Sequence, residues 1–438
     1  MDVSNAVKRL RYNFAGPEEE RDECQKAFWL KTTLDRNTSG TLSFVVPPDP
    51  EAFTDVNATY IEVTLKVLKA NGDPLDENDG VFLSPGQLQS LFESCQIFLN
   101  DGSLDPTNAY SYGATLTSYF GVSKTAREDV WAELAGMKPP GYPRSHLQPG
   151  DEQAFIPSIQ QVAKSQELTL TGRLMSDFMQ SCAQLLPPGI KIGVNLRRAR
   201  DSFSLCSSTK DPTAGYKIEI TMASLFLRRV QMSKPMLERT LAGLNDGCGL
   251  AYTRMGCIIN QVPAQGVSYR CGNLFGGGEL PHTLYLLLVN QQAFSGSLNY
   301  LGNYFESGHV KSLQVFENGR PVLAQPIRTK YVYDEKDGYT LDKLKSDAKQ
   351  PFLTMAQAMN GIANSQISAG LKYSEFLTGC IVSCVQLNSC GGTRTSPGFL
   401  DVELTMADDA AREPMLLLAF GEFDKNVRLD KNLRLTHG

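Results

Sequence analysis

Along much of this chain apolar and polar residues alternate with a period of two. Ile61, Val63, Leu65 and Val67 are interleaved with Tyr60, Glu62, Thr64 and Lys66, a spacing that puts one face of a strand in a core and the other in water. The pattern returns at Ile190, Ile192, Val194 and Leu196, and again at Leu400, Val402, Leu404 and Met406. Further runs rich in β-branched and aromatic residues lie at 42–46, 95–99, 168–170, 217–230, 252–262, 284–289, 310–316 and 377–387. Most are bounded by Gly, Pro, Asn or Asp, the punctuation of an antiparallel all-β protein.

Helical signals are few. Thr125 with Glu128 reads as a capping box ahead of Val130, Trp131 and Leu134 on one face. Ser233 and Pro235 open a short stretch carrying Met236, Leu237, Leu241 and Leu244 that ends near Gly247. A third candidate runs from Phe352 to about Ala363. The polar segments 136–153 and 328–349 read as long surface loops.

Landmarks in the first half recur in the same order in the second. Val46-Pro47 is answered by Val262-Pro263, an offset of 216 residues, and Thr59-Tyr60-Ile61 by Thr283-Leu284-Tyr285, an offset of 224. Gln96 in a run ending Asn100-Asp101-Gly102 matches Gln314 in a run ending Asn318-Gly319, an offset of 218, and Ile190 answers to Leu400, an offset of 210. Near-equal offsets predict two copies of one β unit in tandem. About eight strands per copy with long connections between some of them suit a jelly roll. The predicted fold is therefore all-β, two tandem eight-stranded jelly-roll sandwiches with a few short helices in the connections. Its parts are an N-terminal arm over 1–40, a first roll over 41–233, a helical linker over 234–247, a second roll over 248–430 and a tail over 431–438.

Composition narrows the function. The 438 residues carry 42 Lys and Arg against 47 Asp and Glu, a net charge of −5, which excludes a nucleic-acid binder held on by a basic face. The longest apolar runs, 284–289 and 415–420, are far too short to cross a bilayer. The first ten residues lack the apolar core of a secretory signal, so the 10 cysteines are expected in a reducing compartment as small core residues.

Chemistry-bearing patterns are sparse. His146, His282, His309 and His437 have no His or Cys at ligand spacing. The Gly-rich run 272–278 lacks the spacing of a phosphate cradle. Cys380, Cys384 and Cys390 are not a CxxC pair, and in an extended strand the first two share a face with Val382, as core residues would. Arg197, Arg198 and Arg200, and Arg228 with Arg229, sit at or near strand ends without interleaved aromatics and read as a solvated edge. No catalytic, cofactor-binding or metal-binding set emerges, so no cofactor is expected, and the chain reads as a building block of a symmetric assembly rather than an enzyme.

A more specific likeness follows from motif order. The stretch Leu280-Pro281-His282-Thr283-Leu284 through Val289-Asn290, then Ala293-Phe294-Ser295-Gly296-Ser297, then 310–316 and Asn318-Gly319, resembles the corresponding region of Polinton (Maverick) and adintovirus major capsid proteins. Upstream, Phe44-Val45-Val46-Pro47, Asp55-Val56-Asn57-Ala58-Thr59-Tyr60-Ile61, Leu91-Phe92-Glu93-Ser94-Cys95, Thr171-Gly172-Arg173-Leu174, Asp201-Ser202-Phe203 and 223–230 fall in the order that family uses. The likeness covers roughly 40–430, with Asn303-Tyr304-Phe305 standing where the family has Asn-Pro-Phe. It implies a double-jelly-roll capsid protein whose homotrimers form pseudo-hexagonal capsomers. Those capsomers tile an icosahedral shell around double-stranded DNA, which is enclosed without sequence-specific binding. The implied partners are copies of the same chain and a penton or minor capsid protein, with no membrane span. The implied location is the virion, after synthesis in the host cytosol and assembly there or in the nucleus.

Two readings of particular residues follow. In the arm, Phe14, Phe28 and Trp29 stand among charged residues and are candidate assembly contacts, with a disordered tail as the alternative. The rival function is a lectin-like pair of sandwiches binding a carbohydrate or other ligand, which needs exposed loop aromatics; Tyr110, Tyr112, Tyr119 and Tyr142 are the candidates. A cupin-type enzyme would need a clustered His and carboxylate set that the four scattered histidines do not suggest.

Overall fold

Period-two alternation builds strands, and their pairing order defines the architecture. The computed structural model describes residues 24–35, 40–77, 79–122, 124–142, 144–182, 184–207, 215–244, 247–306, 310–328, 349–360, 371–387, 397–406 and 413–437. The first half contains β1 (Cys24–Asp35), β2 (Thr41–Val46), β3 (Ala52–Lys69), β4 (Val81–Leu83), β5 (Phe92–Leu99), β6 (Gly102–Ser103), β7 (Thr107–Asn108), β8 (Leu168–Arg173), β9 (Ile192–Arg198), β10 (Leu205–Ser207) and β11 (Tyr216–Met232). The second contains β12 (Cys248–Val262), β13 (Ser268–Leu274), β14 (Thr283–Asn290), β15 (Val310–Glu317), β16 (Arg320–Pro321), β17 (Ile327–Arg328), β18 (Val382–Gln386), β19 (Leu400–Met406), β20 (Met415–Leu429) and β21 (Leu435–His437). The helices used below are α1 (Tyr110–Leu116), α2 (Asp177–Ser181), α3 (Lys234–Gly243), α4 (Lys349–Asn360) and α5 (Tyr373–Leu377).

In the first half one antiparallel sheet runs β1-β11-β3-β8 and the other β2-β9-β5-β6, with β7 also on β5. The second half repeats the scheme as β12-β20-β14-β18 and β13-β19-β15-β16, with β17 also on β15. Each half is thus two facing four-stranded sheets in one shared order, a jelly roll. Ile61, Val63, Leu65 and Val67 of β3 and Ile218, Ile220, Leu225 and Leu227 of β11 face Leu42, Phe44, Val194, Leu196 and Ile97 of the opposite sheet in one buried core. The second core sets Leu284, Leu286 and Leu417 against Val402, Leu404 and Val315. The β15–β16 hairpin turns on Asn318 (φ 50) and Gly319 (φ 79), the two left-handed positions a tight turn of this hand requires.

Several expectations are corrected. Residues Cys24–Asp35, expected within the 1–40 arm, are β1, paired with β11 from Cys24↔Met232 to Asp35↔Met222. Its alternation is blurred because Thr32 sits among the inward positions with Leu30 and Leu34, while Trp29 faces outward half exposed. The topology also reassigns one repeat landmark. By pairing order β12 corresponds to β1 and β2 to β13, so Val46-Pro47 and Val262-Pro263 end different strands; the other three matches, β3 with β14, β5 with β15 and β9 with β19, hold. Within the expected tail over 431–438, β21 pairs with β20.

The helix ahead of Leu134 turns the other way from its sequence pattern. Arg127–Trp131 forms a π-turn, and this wider winding shifts the phase that a 3.6-residue period assumes. Val130 and Leu134 are 41% and 47% exposed, whereas Arg127 is fully buried.

Candidate assembly surfaces

Equivalent sheets of the two rolls present different outward faces. In the second roll, Tyr285, Leu287 and Val289 of β14 and Leu416, Leu418 and Phe420 of β20 point away from the roll's own core, yet all are buried. They are covered by Tyr112 and Leu116 of α1, by Tyr119 and Phe120 just beyond it, and by Met355 of α4 and Phe376 and Leu377 of α5. The first roll therefore lends its α1 connection to roof the second. The roof is pinned by Arg127, whose Nη2 lies 3.1 Å from Glu375 Oε2, and by the Tyr119 hydroxyl, which donates to the Lys138 carbonyl at 2.8 Å. Burial pushes the Tyr112, Tyr119 and Tyr285 hydroxyls well above their ordinary value.

The corresponding outward face of the first roll carries an aromatic ladder. Trp29 on β1 meets Tyr60 on β3 edge-on at 5.1 Å, and Tyr60 stacks on Phe226 of β11 at 4.5 Å. Lys31 Nζ lies over the Phe226 ring at 5.1 Å and 3.9 Å from Glu62. Trp29 is 50% exposed, and β1 is an end strand of its sheet, so its outer edge has no strand partner among the described residues. A half-exposed tryptophan beside a free edge is a surface suited to association.

The other candidate residues fall as follows. Phe28 is half-buried on the inward side of β1, with Lys26 Nζ 5.7 Å above its ring, and Phe14 lies outside the described residues. Tyr110, Tyr112 and Tyr119, expected as exposed loop aromatics, are buried core residues. They lie in helical connections packed between sheets, a placement that their spacing alone does not reveal. Arg229, expected on a solvated edge, is 1% exposed and donates to Thr54 Oγ1 and to the Pro47 carbonyl, both at 2.7 Å. Cys380, Val382 and Cys384 share one buried cluster, and Cys390 lies outside the described residues. His146 stacks on Tyr300 at 4.7 Å, and His282 lies 3.6 Å from Glu422. Among the described residues no group of three His, Cys, Asp or Glu is placed to hold a metal ion, and no helix is long and apolar enough to cross a membrane.

Sequence reasoning missed the junction between the rolls. The free edge of β12 is capped by first-roll side chains. Gln184 Oε1, Ser181 Oγ and Asp177 Oδ2 accept from the amides of Ala251, Thr253 and Met255 at 3.3, 2.8 and 3.1 Å. Burial pushes the Asp177 carboxyl up to about 7, against the lowering effect of that Met255 amide. Across the same pair of rolls, Ser145 bonds Glu306, whose carboxyl burial also raises to about 7, with Glu413 adding like charge. Both junction carboxyls thus titrate near neutrality, a signal that appears only once distant loops meet.

No protein-family model and no curated protein sequence matches this chain. Solved structures nonetheless superpose on nearly all of it. A chain of the Sputnik virophage, from its 3.5 Å cryo-EM structure, aligns with a TM-score of 0.63 at 12% identity, covering 98% of this chain and 91% of that one. The Faustovirus major capsid protein aligns with a TM-score of 0.54 at 10% identity over 95% and 92% of the two chains. The mavirus major capsid protein aligns with a TM-score of 0.53 at 10% identity over 98% and 94%. The likeness is one of fold, and this chain is a double jelly roll, as those viral capsid proteins are.

Proposed function

We propose that this chain is a viral major capsid protein, structural and non-enzymatic, that assembles with copies of itself. The observation carrying this reading is the superposition of both rolls, over nearly the whole chain, on viral major capsid proteins. Two rolls of one pairing order in one chain give a threefold assembly six similar wedges, so a homotrimer would present a pseudo-hexagonal outline. Such capsomers would tile an icosahedral shell around double-stranded DNA, with a penton or minor capsid protein closing it. Motif order supports a likeness to the Polinton and adintovirus group. The near-even charge supports a protein that encloses DNA while mainly binding itself. The virion is its proposed location.

Within this proposal the Trp29, Tyr60 and Phe226 face of the first roll receives a second copy, because among the described residues it is unroofed and carries a half-exposed tryptophan beside a free strand edge. The strand ends support domain limits near 24–232 and 248–437. Negative-stain microscopy of the expressed protein tests the reading: hexagonal-outline capsomers or closed shells are expected. Dispersed single chains at micromolar concentration would overturn it.

A further inference from the structure

Between the rolls lies a cavity of about 320 Å³. Its floor is aromatic and apolar, formed by Phe92, Tyr112, Phe203, Phe294 and Ile259. The Tyr112 hydroxyl there is buried with no hydrogen-bond partner among the described residues, which leaves its desolvation unoffset by them. At its mouth the cavity runs into a groove lined by Arg197, Arg198 and Arg200. Arg197 pairs with Glu93 at 2.7 Å and Arg198 with Asp201 at 3.1 Å, whereas among the described residues Arg200 donates only to the Ser295 carbonyl at 2.9 Å. Arg200 therefore has no acidic partner among the described residues at the mouth.

One wall of the cavity is a strand edge. β12 ends its sheet, and its outward amides at Ala251, Thr253 and Met255 are capped by the first roll. In an antiparallel strand outward amides recur every second residue, so those of Cys257 and Ile259 come next. Neither has a partner among the described residues, and Ile259 is 42% exposed at the cavity. A free edge beside an apolar pocket accepts an extended peptide, with backbone bonds along the edge and a side chain in the pocket. An anionic amphiphile would match the pocket and the arginines but leave the edge unused.

We propose that this cleft docks the chain's own N-terminal segment, residues 12–20, as a strand added to β12. That segment reads Tyr12-Asn13-Phe14-Ala15-Gly16-Pro17-Glu18-Glu19-Glu20. Phe14 supplies the aromatic side chain for the pocket, and Glu18, Glu19 and Glu20 supply negative charge for the arginine mouth. Phe14 stands ten residues before Cys24, where β1 begins, a tether of about 35 Å when extended, within which the cleft of the same copy or of a neighbour must lie. The fit goes beyond the shell reading and does not depend on it.

The test uses the full chain carrying photoreactive benzoylphenylalanine in place of Phe14, irradiated in dilute solution and mapped by peptide mass spectrometry. Cross-links are expected in 92–112, 197–203 or 256–261. Replacing Glu18, Glu19 and Glu20 by Lys should lower their yield about ten-fold, and adding Arg197→Glu with Arg200→Glu should restore it. Isotope-mixed protein assigns the cross-link to one copy or two, and either result upholds the docking. Cross-links confined to other surfaces, or a yield indifferent to the charge reversal, would overturn it. Hydrogen exchange on the unmodified chain gives a second readout free of folding artefacts: the Cys257 and Ile259 amides should be protected, and exchange at the rate of open backbone contradicts the proposal.

Discussion

The β14/β20 sheet of the second roll and the β3/β11 sheet of the first occupy equivalent places in one topology, yet one is buried on both faces and the other on one. Their sequences state the difference. Thr283-Leu284-Tyr285-Leu286-Leu287-Leu288-Val289 is continuously apolar after its first residue, as a strand covered on both sides must be. β3 alternates over 60–67 and leaves Tyr60, Glu62 and Lys66 toward solvent. Topology thus does not decide which faces a jelly roll offers to partners. The connections do, and here α1, α4 and α5 all roof the second roll.

The contrast can be broken most strongly at its buried side. Phe420→Ala should destabilise the chain by about 3–5 kcal/mol by opening a cavity between sheet and roof, read as a lower denaturation midpoint. Tyr60→Ala, on the outward face of the open sheet, should cost about 1 kcal/mol or less. Equal losses would mean that the first face is roofed too. Arg127→Ala removes the ion pair that pins the roof and leaves Glu375 without it, a loss of about 3 kcal/mol, measured in the same way.

The junction between the sheets should respond to pH. Asp177 and Glu306 have folded values raised to about 7 from ordinary carboxyl values, so the folded state binds more protons than the unfolded one between about pH 4 and 7. Stability should therefore fall as pH rises through that window and level off above it. Asp177→Asn with Glu306→Gln should flatten the fall in a pH series of thermal melts, and an unchanged slope would place its origin elsewhere. Gly319→Ala puts a side chain at φ 79 in the β15–β16 turn and should cost about 1–2 kcal/mol without touching either outward face.

Much of the fold was legible in period-two strands. The alternating cores of β3, β9 and β19 and the apolar run of β14 each coincide with a strand. β1 escaped because an outward Trp29 and an inward Thr32 invert the usual pattern on an edge strand. The roof escaped because its tyrosines and Arg127 are residue types that usually mark loops and surfaces, and only contact with the other roll buries them. The assembly face was half legible. Trp29 was singled out, but its ladder with Tyr60 and Phe226 needs the cross-strand register, which no local pattern encodes.

The open face of the first roll as the site of self-association is tested most directly by sedimentation equilibrium of the full chain beside its Trp29→Asp variant. The wild-type chain should sediment at three times its 48.1 kDa, and the variant as a folded monomer that still melts cooperatively, at a midpoint lower by the lost association. A wild-type monomer, or a variant that trimerises as well as the wild type, would contradict it.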